Sequence, residues 1–184
     1  MPIPCGLLYR GSALAGLSPQ ACDDVRQLGV RTFIDLRTAD EREGTPSSTC
    51  AERQARMVLA PMPTPYSVSP TDYLADLNTA PSVAAAFNVL GDVEAYPVYF
   101  HCVYGRDRTG VLAALILLTL GATPDEVMAE YHLTADSGLS VYPDSLQAVL
   151  DAIARVGGVE AFLASVGVSP AQLATLRTKL GVRH

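Results

Sequence analysis

Four short stretches of the chain have the apolar, β-branched and aromatic character of buried strands. They are residues 7–9, 31–36, 56–60 and 97–101. The second and fourth are the clearest, since each contains three consecutive β-branched or aromatic residues, at 32–34 and 98–100. These four stretches predict the strands of one buried sheet.

Between and after the strands, apolar positions recur at helical spacing. The predicted helices cover residues 18–28, 71–77, 82–93 and 109–120, one that begins at 123, and two or three within 143–180. Segment 38–54 is polar and predicted to be irregular, and the proline-rich segment 62–70 is predicted to be a loop. Strands separated by helices, followed by a helical tail, predict an α/β fold with a central, mostly parallel sheet flanked by helices. We expect one domain over residues 1–184, with the helices from about residue 143 packed on it.

Composition narrows the class of protein. Hydrophobic residues make up 49% of the 184 positions and charged residues 17%, which is typical of a folded domain with a substantial core. The net charge of −6 argues against a surface that binds nucleic acid or anionic lipid through general positive charge. A small local cationic pocket is still compatible with this balance.

The N-terminal residues and the cysteines bear on the compartment. Residues 1–5 lack the basic start and long apolar run of a signal peptide, and the longest apolar stretch, 110–120, is shorter than the roughly 20 residues that span a bilayer. We therefore expect a cytoplasmic protein with no stable membrane insertion. The four cysteines, at positions 5, 22, 50 and 102, lack metal-site spacing, so no metal or cofactor is expected. Two disulfides are possible on count alone, but a catalytic thiol favours a reducing compartment and isolated structural cysteines.

Residues 101–110 carry the chemistry. They read His-Cys-Val-Tyr-Gly-Arg-Asp-Arg-Thr-Gly, and they follow a predicted strand and open a predicted helix. At such a turn the backbone N–H groups of the loop and the helix N-terminus converge on one point and bind an anion. Gly105 gives the backbone the freedom a tight loop needs, and the planar guanidinium of Arg108 can hold two phosphate oxygens. Cys102 begins the loop, where these positive groups should favour its thiolate form.

Other interpretations explain less of this segment. A buried cysteine at a strand end would account for Cys102 alone. A sulfur carrier similar to rhodanese also places a cysteine in a strand-to-helix loop, but it does not call for Arg108 and Thr109. A non-catalytic phosphate-binding module is disfavoured by the intact cysteine, arginine and nearby aspartate. The segment thus predicts a phosphatase with Cys102 as nucleophile and Arg108 as the phosphate clamp.

Residues 101–110 resemble the signature loop of protein tyrosine and dual-specificity phosphatases, His-Cys-x-x-Gly-x-x-Arg-[Ser/Thr]-Gly. With Arg106 and Asp107 included, they resemble more narrowly a bacterial branch of tyrosine phosphatases with mixed phosphotyrosine and phosphoinositide specificity. Stretches on both sides are similar to that branch and extend the resemblance to roughly residues 7–137; they are 8–14, 28–37 with Glu41 following, 111–120 and 130–134. The chain departs from the pattern at Arg106, where lysine is usual, and at Tyr104, where a small residue is usual.

The resemblance implies roles for individual residues. Cys102 would form a phosphocysteine, and Arg108 would clamp the transition state. His101 would order the loop and support the thiolate, although a buried structural histidine is the commoner case. Thr109 would hydrogen-bond the cysteine sulfur, cap the helix, or do both.

The remaining loop residues are expected to line the phosphate site: Val103, Tyr104, Gly105, Arg106 and Asp107. Arg10 and Arg37 each directly follow a predicted strand and could approach the same site, although surface arginines are more often solvated.

The general acid has two candidates. Most related phosphatases use an aspartate on a mobile loop some thirty residues before the cysteine, a distance that fits Asp72. Myotubularin-like lipid phosphatases use the aspartate directly before the signature arginine, which is Asp107 here. An aspartate beside a phosphate site opposes binding unless it is protonated or turned away, so its presence there is hard to explain without a role in the reaction. We therefore favour Asp107 as the general acid. Asp72 is the alternative, and helix capping is the simpler explanation of Asp72.

The expected substrates are phosphomonoesters on proteins, on phosphoinositides, or on both. The charged residues at 106–108 favour phosphoinositides, whereas the acidic surface disfavours a membrane substrate. A soluble inositol-polyphosphate phosphatase is the alternative enzyme. In each case a phosphate or a similar oxyanion is expected in the loop.

Overall fold

The computed structural model describes residues 4–52, 55–63 and 68–181. Residues 64–67 of the predicted 62–70 loop lie outside these ranges, as do residues 53–54 of the segment predicted to be irregular and the first three N-terminal residues. Among the described residues, no helix is both long and apolar enough to cross a membrane.

A four-stranded parallel sheet lies at the centre of the fold, in the order β1-β4-β2-β3. The strands are β1 (Leu8–Gly11), β2 (Thr32–Asp35), β3 (Arg56–Leu59) and β4 (Val98–His101). All residues of the two inner strands, β2 and β4, are buried, as expected for a parallel sheet covered on both faces. The predicted α/β class with a parallel sheet is confirmed.

Ten α-helices connect and follow the strands in the described part of the chain: α1 (Pro19–Gln27), α2 (Ala39–Gly44), α3 (Thr49–Glu52), α4 (Pro70–Leu77), α5 (Ala80–Leu90), α6 (Asp107–Thr119), α7 (Pro124–His132), α8 (Pro143–Arg155), α9 (Val159–Ser165) and α10 (Pro170–Lys179). Short 3₁₀ helices cover Val93–Ala95 and Leu133–Ser137. Several helices begin with a side-chain cap followed by proline, as at Ser18, Thr123 and Ser169.

The main core lies on one face of the sheet. Side chains from β2 and β4 (Ile34, Val98 and Phe100) point into it, and α6 is buried on nearly every side. Helices α4, α7, α8 and α9 pack around α6. The other face carries a smaller cluster in which Phe33 and Tyr99 pack with α1. Neighbouring strand residues thus serve opposite faces.

The prediction of an irregular segment at 38–54 was wrong. Residues 39–44 form α2 and residues 49–52 form α3. Helix α2 is nucleated by a capping box in which the Thr38 hydroxyl accepts from the Glu41 backbone N–H and the Glu41 carboxylate accepts from the Thr38 N–H. The pattern Thr-x-x-Glu was visible in the sequence, but polar composition concealed it.

The expectation of isolated structural cysteines was also wrong. Cys22 on α1 and Cys50 on α3 form a disulfide across 28 positions, with Cα atoms 5.8 Å apart. Strand β2 lies between them in sequence, so their proximity is a tertiary effect that spacing cannot show. Cys5 and Cys102 are free, which leaves Cys5 as the unpaired cysteine available to Cys102 among the described residues.

We expect Leu112→Ala to destabilise the fold by about 2–5 kcal/mol, because Leu112 is fully buried in α6 and its loss would leave a cavity in the main core. Denaturant unfolding followed by circular dichroism measures the change. Leu133→Ala is the matched control, since Leu133 is 63% exposed and should change the free energy of unfolding by less than about 0.5 kcal/mol. Equal effects of the two substitutions would contradict the position of the core.

Candidate active site

The candidate site lies where the carboxyl ends of β1, β4 and β2 meet. His101 ends β4, residues 102–106 form a loop, and α6 begins at Asp107, two residues earlier than predicted. Asp107 and Arg108 therefore belong to the first helical turn. Cys102 is 1% exposed. The predicted arrangement of strand, loop and helix is present, and the loop sits at the edge where ligands bind in open α/β sheets.

Gly105 packs against the end of β1. Its φ is +73°, in the left-handed region, and a Cβ atom there would lie 2.4 Å from the carbonyl carbon of Gly11 and 2.8 Å from the Ser12 nitrogen. The neighbouring backbone is tied down as well, because the Ala13 N–H donates to the Val103 carbonyl at 3.0 Å. Any side chain at 105 would push the loop away from β1.

Arg10 supports the same part of the loop. Its Nη2 donates to the Gly105 carbonyl at 3.1 Å and to the Thr134 hydroxyl at 2.8 Å. Its Nη1 pairs with Glu130 Oε2 at 2.7 Å. The predicted approach of Arg10 to the site is thus present in the structure, and Arg10 links two of the stretches, 8–14 and 130–134, that carry the family resemblance.

Arg108 forms a bidentate ion pair with Glu41. Nη1 lies 2.6 Å from Oε2 and Nη2 lies 2.7 Å from Oε1, and the two side chains are only 2% and 7% exposed. Nη1 also donates to the Leu36 carbonyl at 3.3 Å. Within the described residues, the buried Arg108 Nε and the Thr109 hydroxyl have no hydrogen-bond partner. The guanidinium is therefore fixed from one side and keeps a donor for another ligand.

Sequence reasoning did not assign a role to Glu41. It quoted Glu41 only as part of the resemblance, although the capping box with Thr38 was a signal that the side chain is anchored. Burial alone would raise the pKa of the Glu41 carboxyl, but the hydrogen bonds from Arg108 and Thr38 outweigh burial and hold the pKa below its ordinary value of 4.5. Glu41 is thus a stable anion opposite Arg108.

A second buried ion pair supports the segment that carries Glu41. Arg37 is 1% exposed and pairs with Asp35, which is also 1% exposed, at 2.8 Å. Its remaining donors reach the Thr45 carbonyl at 2.7 Å and the Ser47 hydroxyl at 2.8 Å. Burial opposes the charge on Asp35, but hydrogen bonds from Arg37 keep its pKa below the ordinary value of 3.8. Of the two alternatives left open for Arg37, the structure has the buried one, and Arg37 organises the segment from inside.

His101 is buried between Asp35 and the loop at residues 102–106. Its Nδ1 lies 3.0 Å from the Cys102 carbonyl and 3.9 Å from Asp35 Oδ1. Both nearby groups are acceptors, so Nδ1 carries the proton. The ring is thereby held against the start of the loop that it was predicted to order.

Asp107 is held by three donors. Arg106 Nε and Nη2 donate to its two oxygens at 2.7 and 3.1 Å, and the Tyr73 hydroxyl donates to Oδ1 at 2.7 Å. The Tyr73 hydroxyl is itself 2.6 Å from the Tyr131 hydroxyl, which accepts from the Tyr142 N–H. Burial and the nearby Asp107 charge raise the pKa of Tyr73 far above its ordinary value, so this hydroxyl stays a donor. Together these contacts join α4 and α7 to the loop.

Asp72 serves another purpose in this structure. Its Oδ2 accepts from the Ser69 N–H at 3.1 Å and from the Ser69 hydroxyl, so its carboxylate caps α4. The next residue, Tyr73, is the one that reaches the catalytic loop. The structure therefore brings Asp107 to the site and occupies Asp72 at a helix start.

Two further side chains of the loop, Arg106 and Tyr104, lie toward the surface of the site. Arg106 lies over the Tyr142 ring at 4.6 Å and donates to the Ser140 carbonyl at 3.0 Å. The Tyr104 side chain is 49% exposed. Among the described residues, no cluster of three or more histidine, cysteine or acidic side chains is arranged to hold a metal ion.

The parallel sheet and the loop between β4 and α6 define the fold of the cysteine-dependent phosphatases. The structure matches the core catalytic domain of the PP-IP phosphatase SIW14 from S. cerevisiae, with a TM-score of 0.51 and 15% identity, over 89% of this chain and 97% of that one. It also matches P. aeruginosa TpbA, with a TM-score of 0.50 and 21% identity, over 88% of this chain and 86% of that one.

The sequence comparisons narrow this class further. The chain is 28% identical, over 222 aligned positions, to a tyrosine-protein phosphatase of Nostoc commune. The alignment covers 97% of this chain and 76% of the relative. The family model of the tyrosine phosphatases matches residues 2–182. The chain belongs to the tyrosine phosphatase family.

We expect Glu41→Gln to lower the free energy of unfolding at pH 7, because it leaves the buried Arg108 charge uncompensated. The folded-state pKa of Glu41 is depressed, so its contribution is fully present above about pH 4.5 and is lost as the pH falls through the folded-state pKa. Urea unfolding at pH 7 and at pH 3 should show the difference between wild type and variant shrinking at the lower pH. A difference that is the same at both values would contradict the ion pair.

Proposed function

We propose that this chain hydrolyses phosphomonoesters through a phosphocysteine formed on Cys102. The observation that carries the proposal is the state of the loop amides. In the described part of the chain, the backbone N–H groups of residues 103–109, which directly follow the buried Cys102 and include that of Arg108, donate no hydrogen bond. Consecutive free amides at a helix N-terminus are suited to bind the oxygens of a phosphoryl group.

The reaction would proceed in two steps. The Cys102 sulfur attacks phosphorus, forming the P–S bond as the P–O bond of the ester breaks and the leaving oxygen takes up a proton. Water then cleaves the P–S bond and releases inorganic phosphate. Arg108, held by Glu41, would bind the equatorial oxygens in the transition state. His101 would keep the loop in place, and the partnerless Thr109 hydroxyl would donate to the sulfur as it leaves.

Asp107 is the proposed general acid, with Asp72 as the alternative. Support for Asp107 comes from its position in the first turn of α6, whereas Asp72 caps α4. Hydrogen bonds from Arg106 and Tyr73 would hold the Asp107 carboxyl group beside the loop. The residues at 103–106, with Arg108, would form the phosphate site.

The candidate substrates are phosphotyrosine proteins and phosphoinositides. TpbA has been crystallised in complex with phosphotyrosine, which supports the first candidate, and SIW14 is a PP-IP phosphatase, which supports phosphorylated inositols as substrates of this fold. The three charged residues at 106–108 favour phosphoinositides or broad specificity. A soluble inositol-polyphosphate phosphatase is the second candidate function, and the similarity in fold to the PP-IP phosphatase SIW14 supports it. Dual specificity is part of the same proposal.

Cytoplasmic localisation stays a prediction. The Cys22–Cys50 disulfide weighs against it, because structural disulfides are typical of oxidising compartments.

We expect Cys102→Ser to abolish phosphate release from p-nitrophenyl phosphate while the variant still binds orthovanadate or sulfate. The physical reason is that the serine hydroxyl is not ionised near neutral pH, whereas the loop amides and Arg108 are unchanged. Steady-state kinetics and isothermal titration calorimetry measure the two properties. Cys5→Ser is the matched control and should keep wild-type turnover; activity retained in Cys102→Ser would reject the nucleophile.

The two aspartates can be separated by the leaving group. If Asp107 donates the proton, Asp107→Asn should lower kcat on the order of 10²-fold for phosphoserine, whose alkoxide leaves poorly, and much less for p-nitrophenyl phosphate. Asp107→Asn should also remove the alkaline limb of the kcat profile. Asp72→Asn should leave turnover nearly unchanged and cost only helix-capping stability. The reverse pattern would assign the acid to Asp72.

A further inference from the structure

A cavity lies beside the 102–106 loop, on the β1 side of the sheet edge. Its volume is about 510 Å³. Tyr104 and Gly105 of the loop form one wall, and the ends of β1 and α7 form the others. The lining residues outside the loop are Arg10, Gly11, Ser12, Glu130, Leu133, Thr134, Ser137 and Leu139. The cavity is therefore placed to receive the part of a substrate that adjoins its phosphate.

The charged side chains that line this cavity neutralise each other. Among the lining residues that the structure describes, Arg10 is the one cation and Glu130 the one carboxylate. They pair at 2.7 Å, with side chains 18% and 32% exposed. The other Nη of Arg10 is taken by the Gly105 carbonyl and the Thr134 hydroxyl. An anion entering the cavity would meet the Glu130 charge and would find the Arg10 donors already engaged.

The same pairing extends along the whole sheet edge. Four arginines lie at this edge, in or after the strand ends, in the loop and in the first turn of α6. Each is paired with one carboxylate within the described residues. The pairs are Arg10–Glu130, Arg37–Asp35, Arg106–Asp107 and Arg108–Glu41. One phosphate can be bound by the loop amides and Arg108, but a second would have to displace a carboxylate from its partner, at a cost in buried charge.

The rim of the cavity is apolar. Leu133 is 63% exposed and Tyr104 is 49% exposed, and Leu139 also lines the cavity. The hydroxyls of Ser12 and Ser137 add neutral hydrogen-bonding groups. An uncharged side chain of a peptide can bury apolar area here, whereas a phosphorylated inositol ring presents anions on most of its positions.

We infer that this cavity is a substrate subsite that takes an uncharged peptide side chain next to the phosphorylated residue, and that Glu130 excludes a second phosphate from it. The inference rests on the proposed function and names its substrate class as singly phosphorylated proteins. Glu130 acts on specificity through Arg10: its carboxylate occupies the cation that would otherwise bind a neighbouring anion.

The test compares two phosphotyrosine peptides of the same sequence, one with serine and one with phosphoserine next to the phosphotyrosine. Wild type should have the higher kcat/KM for the singly phosphorylated peptide and should turn over inositol hexakisphosphate more slowly than either. Glu130→Gln keeps a hydrogen-bond acceptor for Arg10 but frees its charge. The ratio of kcat/KM for the doubly to the singly phosphorylated peptide should rise about fivefold, a factor typical of one partly exposed charge pair.

Glu160→Gln is the matched control. Glu160 pairs with Arg177 through the same kind of ion pair, between α9 and α10, and its loss should leave the ratio unchanged. Leu133→Arg gives an independent check, because it adds a cation on the exposed rim without breaking an ion pair and should raise the same ratio. Val156→Arg, at a 55% exposed position away from the cavity, is its control.

The outcomes separate this inference from the proposed function. If wild type hydrolyses neither p-nitrophenyl phosphate nor any peptide, the proposed function itself fails. If wild type is active but does not discriminate between the peptides, or turns over inositol hexakisphosphate faster, the subsite is rejected. An unchanged ratio in both Glu130→Gln and Leu133→Arg also overturns it.

Discussion

The bidentate ion pair between Arg108 and Glu41 connects the two halves of the site. Arg108 is fixed in the first turn of α6, and Glu41 is fixed by the capping box that starts α2, so the pair joins the loop after β4 to the segment after β2. Both side chains are almost fully buried, and each would be costly to leave alone. An arginine that is already oriented loses little side-chain entropy when a ligand arrives, which is the advantage of paying for its order during folding.

The second buried ion pair, between Arg37 and Asp35, supports the first from the interior of the protein. Asp35 ends β2, and Arg37 turns back into the protein to hold the segment that carries Glu41. His101 stands next to Asp35 at the end of the neighbouring strand. The register of the parallel sheet places Asp35 opposite His101. The electrostatics of the site are therefore set by the pairing of β2 with β4, and a shift of that register would separate the groups that act on the catalytic loop.

Much of this could be predicted from the sequence. Strand residues at 32–34 and 98–100, the strand-to-helix loop at 101–110 and the capped helices follow from local patterns, and local patterns are what one sequence displays. The ion pairs of Arg108 with Glu41 and of Arg10 with Glu130 span 67 and 120 positions. Partners so far apart in sequence cannot be predicted from the spacing of residues along the chain. The pairing of Cys22 with Cys50 and the burial of Arg37 depend likewise on how the segments fold together, and local patterns in one sequence do not show them.

The disulfide places a particular part of the chain inside a covalent ring. The ring closed by Cys22 and Cys50 contains Asp35, Arg37 and Glu41, and closing a ring of this size removes on the order of 3–4 kcal/mol of chain entropy from the unfolded state. The proposed nucleophile, Cys102, in contrast, has to be a reduced sulfur to react. The two sulfur sites thus make opposite demands on their surroundings, one needing an oxidant and the other protection from it. With the proposed role of Cys102, the reduction potential of the surroundings has to leave Cys22–Cys50 oxidised and Cys102 reduced at the same time.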